Sequence, residues 1–454
     1  MVGVGLYFYQ KNNDLDDYYV GGRNLGYGHI GLSVVATDVG GGFSVGLGGL
    51  GFTMGLSGSW MLFTGLIGAW LSAVILIPRL YRMSSFRSLF SLPEVFQSLY
   101  GKQAAIAAAI ISFIGYLGFT SSQLLAGAKL ASATIDTLSF THIAIILGVF
   151  TVVYTALGGL KAVIMTDTVQ WIILLIGLIG FGLPFAYIEL GGWQAIRSAL
   201  PDDMFSLGNF KAIQMINWFI AIVPIWFVGM TLYQRIFASR NIEEAQKAWF
   251  LAGLLEWPIM AFMGVALGLL AKVAYVQGAI AFPSGLVDSE MGLPLLLKEV
   301  LPVGITGMVL AAYFSAIMST ADSCLMAASG NVVHDLIGKF LRLSPKAHIR
   351  FSQLTTGLLG AIAVYIALNM SNVLELMLLS YGFMVSGLLI PLLFGFGKVR
   401  YSPYTAMASM IAGGTTCSYL VWNKLPLPLG LDPNFFGILS SLLVFLLFKN
   451  IRKA

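Results

Sequence analysis

The stretch SVVATDVGGGFSVGLGG, residues 33–49, lies in a long apolar segment and combines one carboxylate, Asp38, with a run of glycines. At the centre of a membrane helix a charge costs about 2.5–3.5 kcal/mol, and glycine costs about 1 kcal/mol relative to alanine. We therefore interpret the stretch as a membrane helix interrupted at 37–42, with Asp38 beside a cation path. The alternative is that the glycines form only a close-packing face between helices.

The composition around this stretch is that of a membrane protein. Of the 454 residues 58% are hydrophobic and 10% are charged, whereas soluble domains average about 25% charged residues. The basic residues are spread over short segments between apolar runs, which is typical of membrane topology rather than of nucleic-acid binding. The two cysteines and four scattered histidines form no CxxC or His-rich motif, so we expect no disulfide framework.

Hydrophobic runs of about 20 residues predict an all-α polytopic membrane protein. Residues 1–10, MVGVGLYFYQ, are interpreted as the end of a helix that begins before this chain. Twelve full spans are predicted at 28–55, 58–80, 104–132, 141–158, 161–188, 213–236, 246–276, 303–332, 350–370, 373–397, 402–423 and 431–448. Residues 1–454 are thus predicted to form a single transmembrane transporter domain.

The charges between the predicted spans are strongly asymmetric. Nineteen of the 25 Lys and Arg residues, Arg235 among them, fall on one side, four fall on the other side, and Lys129 and Lys272 lie within spans. Because cytoplasmic loops are enriched in Lys and Arg, the richer side and the C-terminus are predicted to be cytoplasmic. We expect a multi-pass protein of the plasma or inner cell membrane, in contact with the lipid bilayer.

A second interruption is predicted in IAIVPIWFVGM, within the span at 213–236. Pro224 lacks an amide proton and Gly229 adds backbone freedom. Five spans separate the starts of the two interrupted segments, and an odd number inverts the second unit in the membrane. This spacing predicts a five-helix repeat at 28–188 and an inverted repeat at 213–397, followed by two helices at 402–448.

Hydroxyl side chains are concentrated in AAYFSAIMSTADSCLMAAS, residues 311–329. Ser315, Ser319 and Ser323 share one helix face, and Thr320 adjoins Ser319. Hydroxyls and freed carbonyls are hard oxygen ligands that suit a small hard cation. The alternative is that each hydroxyl only bonds to the carbonyl of the preceding helical turn.

Together these segments resemble the sodium:solute symporter family, which includes proline, pantothenate, sugar and choline transporters. The resemblance covers essentially the whole chain and rests on LDDYYVGGRNLG, SVVATDVGGG, ALGGLKAVIMTDTVQ, QRIFASRNIEEAQKA and SAIMSTADS. It implies the LeuT-type inverted-repeat fold, usually described with thirteen spans, and the sodium ion as the coupling ion.

The resemblance implies a sodium site between the first interrupted helix and the eighth helix of the core. The implied ligands are the carbonyls of Ala36, Val39 and Ala316 and the hydroxyls of Ser319 and Thr320. Asp38 matches a carboxylate that is important for sodium coupling in proline-type members. Asp167 resembles a carboxylate proposed to line the sodium exit, although an acid near a helix start is also favoured by the helix dipole alone.

The substrate is expected at the bilayer midplane, between the two interruptions. Candidate lining residues are Gly41, Gly42, Tyr116, Gln123, Pro224, Trp226, Phe227, Met230 and Glu256. The polar groups that sugar-carrying relatives present around YWGFNQ are mostly absent, and Glu256 falls where such relatives carry a lysine. An apolar pocket with one acid favours a small zwitterion or organic cation, held by Glu256 or by the face of Trp226. Alternatively, Glu256 bonds to backbone at the kink before Pro258, and the aromatic residues only pack.

We therefore expect a sodium-coupled secondary active symporter that imports a small organic solute, such as a proline-like amino acid, by alternating access. The sequence contains neither GxxxxGK[ST] nor HExxH and indicates no enzyme. Three alternatives stay open: a proton-coupled transporter, a sodium symporter for a monocarboxylate, pantothenate or sugar, and a non-coupled channel or sensor. The expected partners are the solute, sodium and lipid, with no nucleic acid and no obligate protein partner.

Overall fold

The computed structural model describes residues 20–38, 40–135, 139–283, 285–341 and 344–449. The predicted partial helix at 1–10 and the predicted ligand Val39 lie outside these ranges. Within the ranges the chain forms helices and no β-strand, apart from one isolated bridge between Leu25 and Ser239. The predicted all-α polytopic class is therefore confirmed.

The first half of the chain contains the first interrupted segment. Its helices are α1 (Tyr27–Asp38), α2 (Gly40–Met54), α3 (Trp60–Leu71), α4 (Ile77–Tyr81), α5 (Leu92–Tyr100), α6 (Lys102–Thr134), α7 (Phe140–Leu175), α8 (Leu183–Glu189) and α9 (Gly192–Ala199). Short π-helical turns join α3 to α4 at Ser72–Leu76 and α7 to α8 at Ile176–Gly182. Each of these pairs therefore continues as one helical segment.

The second half contains the second interrupted segment. Its helices are α10 (Ala212–Val228), α11 (Met230–Ala238), α12 (Ile242–Leu254), α13 (Ala261–Val276), α14 (Ser289–Val300), α15 (Val303–Gly330), α16 (Pro345–Leu368), α17 (Val373–Gly395), α18 (Pro403–Asn423) and α19 (Pro433–Phe448). A π-helical turn at Leu255–Met260 joins α12 to α13, and another at Asn331–Leu336 follows α15.

Several of these helices are long and apolar enough to cross a bilayer. Among the described residues there are seven such segments, or eight if the bent pair α10–α11 counts as one. The seven are Ser44–Tyr81, Lys102–Thr134, Val163–Glu189, Ile242–Val276, Val303–Lys339, Ala347–Leu368 and Val373–Gly395. The chain is thus a multi-pass membrane protein, while the count of twelve spans stays a prediction.

One predicted span boundary differs from the structure. The sequence predicts separate spans at 141–158 and 161–188, with Lys161 in the loop between them. In the structure the backbone is helical without interruption through α7. A helix accepts glycine at about 1 kcal/mol per residue when packing compensates, and α7 packs against α15 and α16.

The first interruption falls where the glycine run predicts it. α1 ends at Asp38 and α2 begins at Gly40, whose φ of +45° is in the left-handed region. A Cβ atom on Gly40 would lie 2.3 Å from the Thr320 hydroxyl oxygen on α15. This position therefore needs glycine both for its backbone conformation and for the close approach of α15.

The glycines that follow pack closely against another helix. A Cβ atom on Gly268 of α13 would lie 2.0 Å from the Gly48 carbonyl oxygen, and one on Gly51 would lie 2.2 Å from the Val265 carbonyl oxygen. The two readings of the glycine-rich stretch thus apply to different parts of it. Gly40 breaks the helix, and the later glycines form a packing face.

The second interruption lies at Gly229 rather than at Pro224. α10 and α11 meet at 43°, and Gly229 between them has extended backbone angles. Pro224 is inside α10, where the helix continues past it. Gly229 ends the helix because its φ of −71° and ψ of 114° leave the helical region.

Candidate functional site

Three oxygen atoms converge where α15 meets the end of α1. The Thr320 hydroxyl lies 2.8 Å from the Ala36 carbonyl oxygen. It also lies 3.2 Å from the Ala316 carbonyl oxygen of the preceding turn of its own helix, which is the contact that the alternative interpretation of these hydroxyls predicts. Three of the predicted sodium ligands are thus together, buried beside the break.

Ser319 faces Asp167 instead of Ala36. Its hydroxyl donates a hydrogen bond to Asp167 Oδ1, and the Ser33 hydroxyl donates to Asp167 Oδ2 at 2.5 Å. Asp167 is fully buried in the interior of α7. Because Asp167 is far from either end of this helix, the alternative that it only serves the helix dipole is wrong.

Arg235 is the partner of Asp167, and sequence reasoning missed it. Its guanidinium Nη2 lies 3.4 Å from Asp167 Oδ2, and both side chains are fully buried. The guanidinium also donates to Ser33 at 3.1 Å, Thr37 at 2.6 Å and Ser323 at 3.0 Å. The prediction that Arg235 is a cytoplasmic loop charge is wrong, because Arg235 lies in α11 at the centre of this network.

Among the described residues, two buried acids without a basic partner lie side by side: Asp38 at the end of α1 and Glu256 in the turn between α12 and α13. Asp38 accepts a hydrogen bond from the Tyr381 hydroxyl at 3.2 Å, and the Glu256 carboxylate lies next to Asp38. All three side chains are buried. Among the described residues neither oxygen of Glu256 accepts a hydrogen bond from a backbone amide. The alternative that Glu256 bonds to backbone at a kink is therefore wrong.

The face of α3 lies against Glu256 and Trp226. A Cβ atom on Gly65 would lie 2.0 Å from Glu256 Oε2, and one on Gly68 would lie 2.3 Å from Trp226 Cδ1. The two glycines are three residues apart, so they share one helix face. Trp226 also contacts Trp249 edge to face, with ring centroids 6.4 Å apart.

Tyr116 and Gln123 on α6 form hydrogen bonds next to the two interruptions, Tyr116 at the second and Gln123 at the first. The Tyr116 hydroxyl lies 2.9 Å from the Thr231 hydroxyl and accepts from the Thr231 amide at 3.1 Å, two residues after Gly229. Gln123 Oε1 accepts from the Gly42 amide at 3.0 Å, in the first turn of α2. Both side chains thus satisfy backbone or hydroxyl groups that an interrupted helix leaves open.

The remaining predicted lining residues are more dispersed. Gly41 lies in the first turn of α2, and Pro224 is half-buried in α10. The Phe227 carbonyl accepts from the Tyr233 hydroxyl at 2.8 Å. The Met230 sulfur accepts from the Leu92 amide at 3.2 Å, which directs it to the start of α5 rather than to Asp38.

Comparison with known proteins identifies the class of protein. A sequence profile described as the Sodium:solute symporter family matches residues 18–413. The chain belongs to this family. The family assignment drawn from the motifs is therefore confirmed. Its members are secondary transporters, so the protein is a transporter and not an enzyme.

Curated members of the family are similar over nearly the whole chain. The high-affinity proline transporter PutP of Bacillus subtilis (strain 168) is 30% identical, over 98% of this chain and 94% of the relative. The sodium/proline symporter of Escherichia coli (strain K12) is 27% identical, over 93% of this chain and 86% of the relative. The osmoregulated proline transporter OpuE of Bacillus subtilis (strain 168) matches to the same extent, at 27% identity.

Solved structures of symporters share the fold. A Na+-coupled sialic acid symporter, in a substrate-bound outward-open state, superposes with a TM-score of 0.78 at 21% identity, over 99% of this chain and 94% of that chain. Mhp1, a nucleobase-cation-symport-1 family transporter, superposes with a TM-score of 0.53 at 12% identity, over 95% and 92%. The chain therefore shares the LeuT-type fold of this Na+-coupled symporter.

Proposed function

We propose that the protein imports a proline-like zwitterion or a small organic cation together with sodium. The observation that carries this proposal is the convergence of the Thr320 hydroxyl with the Ala36 and Ala316 carbonyl oxygens at the interrupted helix. This set of hard oxygen atoms suits an alkali cation. The named relatives are proline transporters, which supports the same class of solute.

The proposed sodium site is completed by residues on both sides of the break. Its ligands are the carbonyls of Ala36, Val39 and Ala316 and the hydroxyls of Ser319 and Thr320. Ser319 connects this site to Asp167 through its hydrogen bond. Asp167 is therefore the carboxylate next to the proposed sodium site. Its proposed role is to line the path by which sodium leaves that site.

The proposed substrate pocket lies around Asp38 and Glu256. The buried Glu256 carboxylate receives the positively charged nitrogen of the substrate, with Tyr381 and Trp226 nearby. Sodium beside Asp38 and the substrate nitrogen beside Glu256 neutralise two adjacent carboxylates. Each cation is bound more tightly when the other is present, because a single cation leaves one buried carboxylate uncompensated.

Transport follows an alternating-access cycle without covalent chemistry. The five-helix repeats at 28–188 and 213–397 rock against each other around the two interruptions. With the C-terminus cytoplasmic, sodium moves inward down its gradient, and the membrane potential adds about 2.3 kcal/mol per charge per 100 mV. The substrate is carried in the same step.

Uptake of radiolabelled L-proline into proteoliposomes tests the proposal. An inward sodium gradient should drive accumulation above the equilibrium level, and an equal potassium gradient should not. A panel with choline, glycine betaine, lactate and glucose as competitors defines the class of solute. Accumulation that is independent of sodium would contradict the coupling, and competition by glucose alone would contradict the solute class.

A double variant tests the sodium ligands. Ser319→Ala with Thr320→Ala should weaken sodium dependence sharply while the protein still inserts into the membrane. Wild-type sodium activation in that variant would remove the proposed site.

Proton coupling is the second candidate, and the adjacent carboxylates of Asp38 and Glu256 favour it. Two adjacent buried carboxylates can share a proton as well as bind a metal cation. Replacing sodium with lithium, potassium or choline at fixed pH separates the two functions. Uptake that follows a pH gradient in the absence of sodium would support the second candidate.

A further inference from the structure

A second cluster of ionisable side chains lies outside the site described above. Glu94 is in the first turn of α5, and His334 and Asp335 are in the π-helical turn that follows α15. One potential ligand atom of each residue lies within 4.8 Å of those of the other two. His334 Nε2 is 2.9 Å from Glu94 Oε1.

Asp335 supplies the observation that points to a ligand. Its side chain is fully buried. Oδ1 accepts from the Ser91 hydroxyl at 2.7 Å, whereas Oδ2 has no hydrogen-bond partner among the described residues. The neighbouring Lys339 ammonium donates to Gln97. An unsatisfied buried polar group costs about 1–3 kcal/mol, and more if it is charged.

The start of α5 holds Glu94 in place. The Ser91 hydroxyl accepts from the Glu94 amide at 3.2 Å, and Glu94 Oε2 accepts from the Phe90 amide at 2.6 Å. This arrangement resembles a reciprocal helix cap, which fixes the Glu94 side chain. Glu94 Oε1 is therefore presented to His334 in a defined position.

The geometry and the donor atoms suit a transition-metal ion. With bonds of about 2.0 Å, two ligand atoms of a tetrahedral zinc site lie about 3.3 Å apart, so a bound ion would replace the 2.9 Å hydrogen bond between His334 and Glu94 after a small separation of the two side chains. Imidazole nitrogen with carboxylate oxygen suits zinc and its neighbours, whereas magnesium and calcium prefer oxygen alone. The His348 ring lies 5.8 Å from the His334 ring and is 8% exposed.

We propose that Glu94, His334 and Asp335 form a binding site for a divalent transition-metal ion such as Zn²⁺. The ion joins the start of α5 to the turn after α15, the helix that carries Ala316, Ser319 and Thr320. The site goes beyond the proposed symport, and metal binding can be measured without any transport assay.

Calorimetric titration of the chelator-treated, full-length protein with ZnCl2 tests the site. The wild type should bind one Zn²⁺ per chain, and MgCl2 should give no comparable signal. His334→Gln should weaken zinc binding at least tenfold. The matched control is His142→Gln, which changes an exposed histidine whose ring contacts Ser139 at 2.6 Å, and it should bind like the wild type.

Two further measurements keep the result decisive if His334→Gln does not fold. Glu94→Gln removes a different ligand and should show the same loss. X-ray absorption at the zinc edge of the wild-type protein should report oxygen and nitrogen ligands with at least one imidazole. The proposal is overturned if the wild type does not bind zinc saturably, if both site variants bind like the wild type, or if the zinc ligands include no imidazole. Equal loss in His142→Gln overturns it as well.

Discussion

Two buried charge clusters lie along α1 and are built in opposite ways. Around Ser33 and Thr37, Asp167 and Arg235 carry opposite charges and are joined by hydroxyl groups. In the second cluster, the Asp38 and Glu256 carboxylates lie side by side, and the Tyr381 hydroxyl donates to Asp38. The first cluster is compensated within the protein, whereas the second has the composition of a site that takes its positive charge from a ligand.

The contrast separates a buried charge cluster that stabilises the fold, Asp167 with Arg235, from one that serves function, Asp38 with Glu256. A buried ion pair whose donors are satisfied holds helices together once it has formed, and breaking it is costly. Two adjacent carboxylates oppose folding until a cation reaches them. Four substitutions test this contrast: Arg235→Met, Glu256→Gln, Gly40→Ala and Thr320→Val.

Removing the arginine should have the largest effect. Arg235→Met leaves Asp167 buried without its cation, and this should lower the free energy of unfolding by about 3–5 kcal/mol. The matched control is Arg240→Met, because the exposed Arg240 side chain donates only to Asn24 Oδ1, at 2.9 Å, among the described residues. Thermal unfolding of the purified proteins measures both. Equal melting temperatures for the two variants would contradict the structural role of the pair.

Removing the unpartnered carboxylate should separate stability from transport. Glu256→Gln keeps the shape of the side chain and relieves repulsion with Asp38, so the melting temperature should hold or rise. Sodium-driven uptake of L-proline should fall about 10- to 100-fold, because a hydrogen bond to a charged group contributes about 1.5–3 kcal/mol.

Glu256→Asp is the control for the charge and should retain more uptake than Glu256→Gln. A drop in melting temperature similar to that of Arg235→Met would show instead that Glu256 stabilises the fold.

A methyl group at the first interruption should strain the break. Gly40→Ala places a side chain at φ +45° and 2.3 Å from the Thr320 hydroxyl oxygen. The left-handed conformation alone costs about 1–2 kcal/mol. The control is Gly304→Ala on α15, where a Cβ atom would have no neighbour within 4 Å. Thermal unfolding should distinguish the two, and equal stability would mean that the break tolerates a side chain.

Removing a single hydroxyl should affect sodium alone. Thr320→Val deletes the group shared by Ala36 and Ala316, and the half-saturating sodium concentration for uptake should rise about tenfold, equivalent to about 1.4 kcal/mol. Thr356→Val is the control, because the buried Thr356 hydroxyl bonds only locally, to the Ser352 carbonyl at 2.8 Å. An equal sodium response in both variants would exclude Thr320 as a ligand.

The membrane class, the position of most helices, the family and the first interruption could all be predicted from the amino-acid sequence. These are properties of consecutive residues: hydrophobic length decides what can lie in a bilayer, and a glycine run decides where a helix can break. The sequence did not locate the second break to one residue, because Pro224 and Gly229 can both interrupt a helix. In the structure the helix continues past Pro224 and ends before Gly229.

The tertiary structure decided which charges meet. Asp167 and Arg235 are 68 residues apart in the chain, and Asp38 and Tyr381 are 343 apart. Hydropathy places each of these residues in a helix but does not say which helix faces which. The sequence-based prediction therefore placed Arg235 in a loop and did not include Tyr381 in the site. Burial and pairing depend on the helices that pack around each side chain, and only the folded chain defines those neighbours.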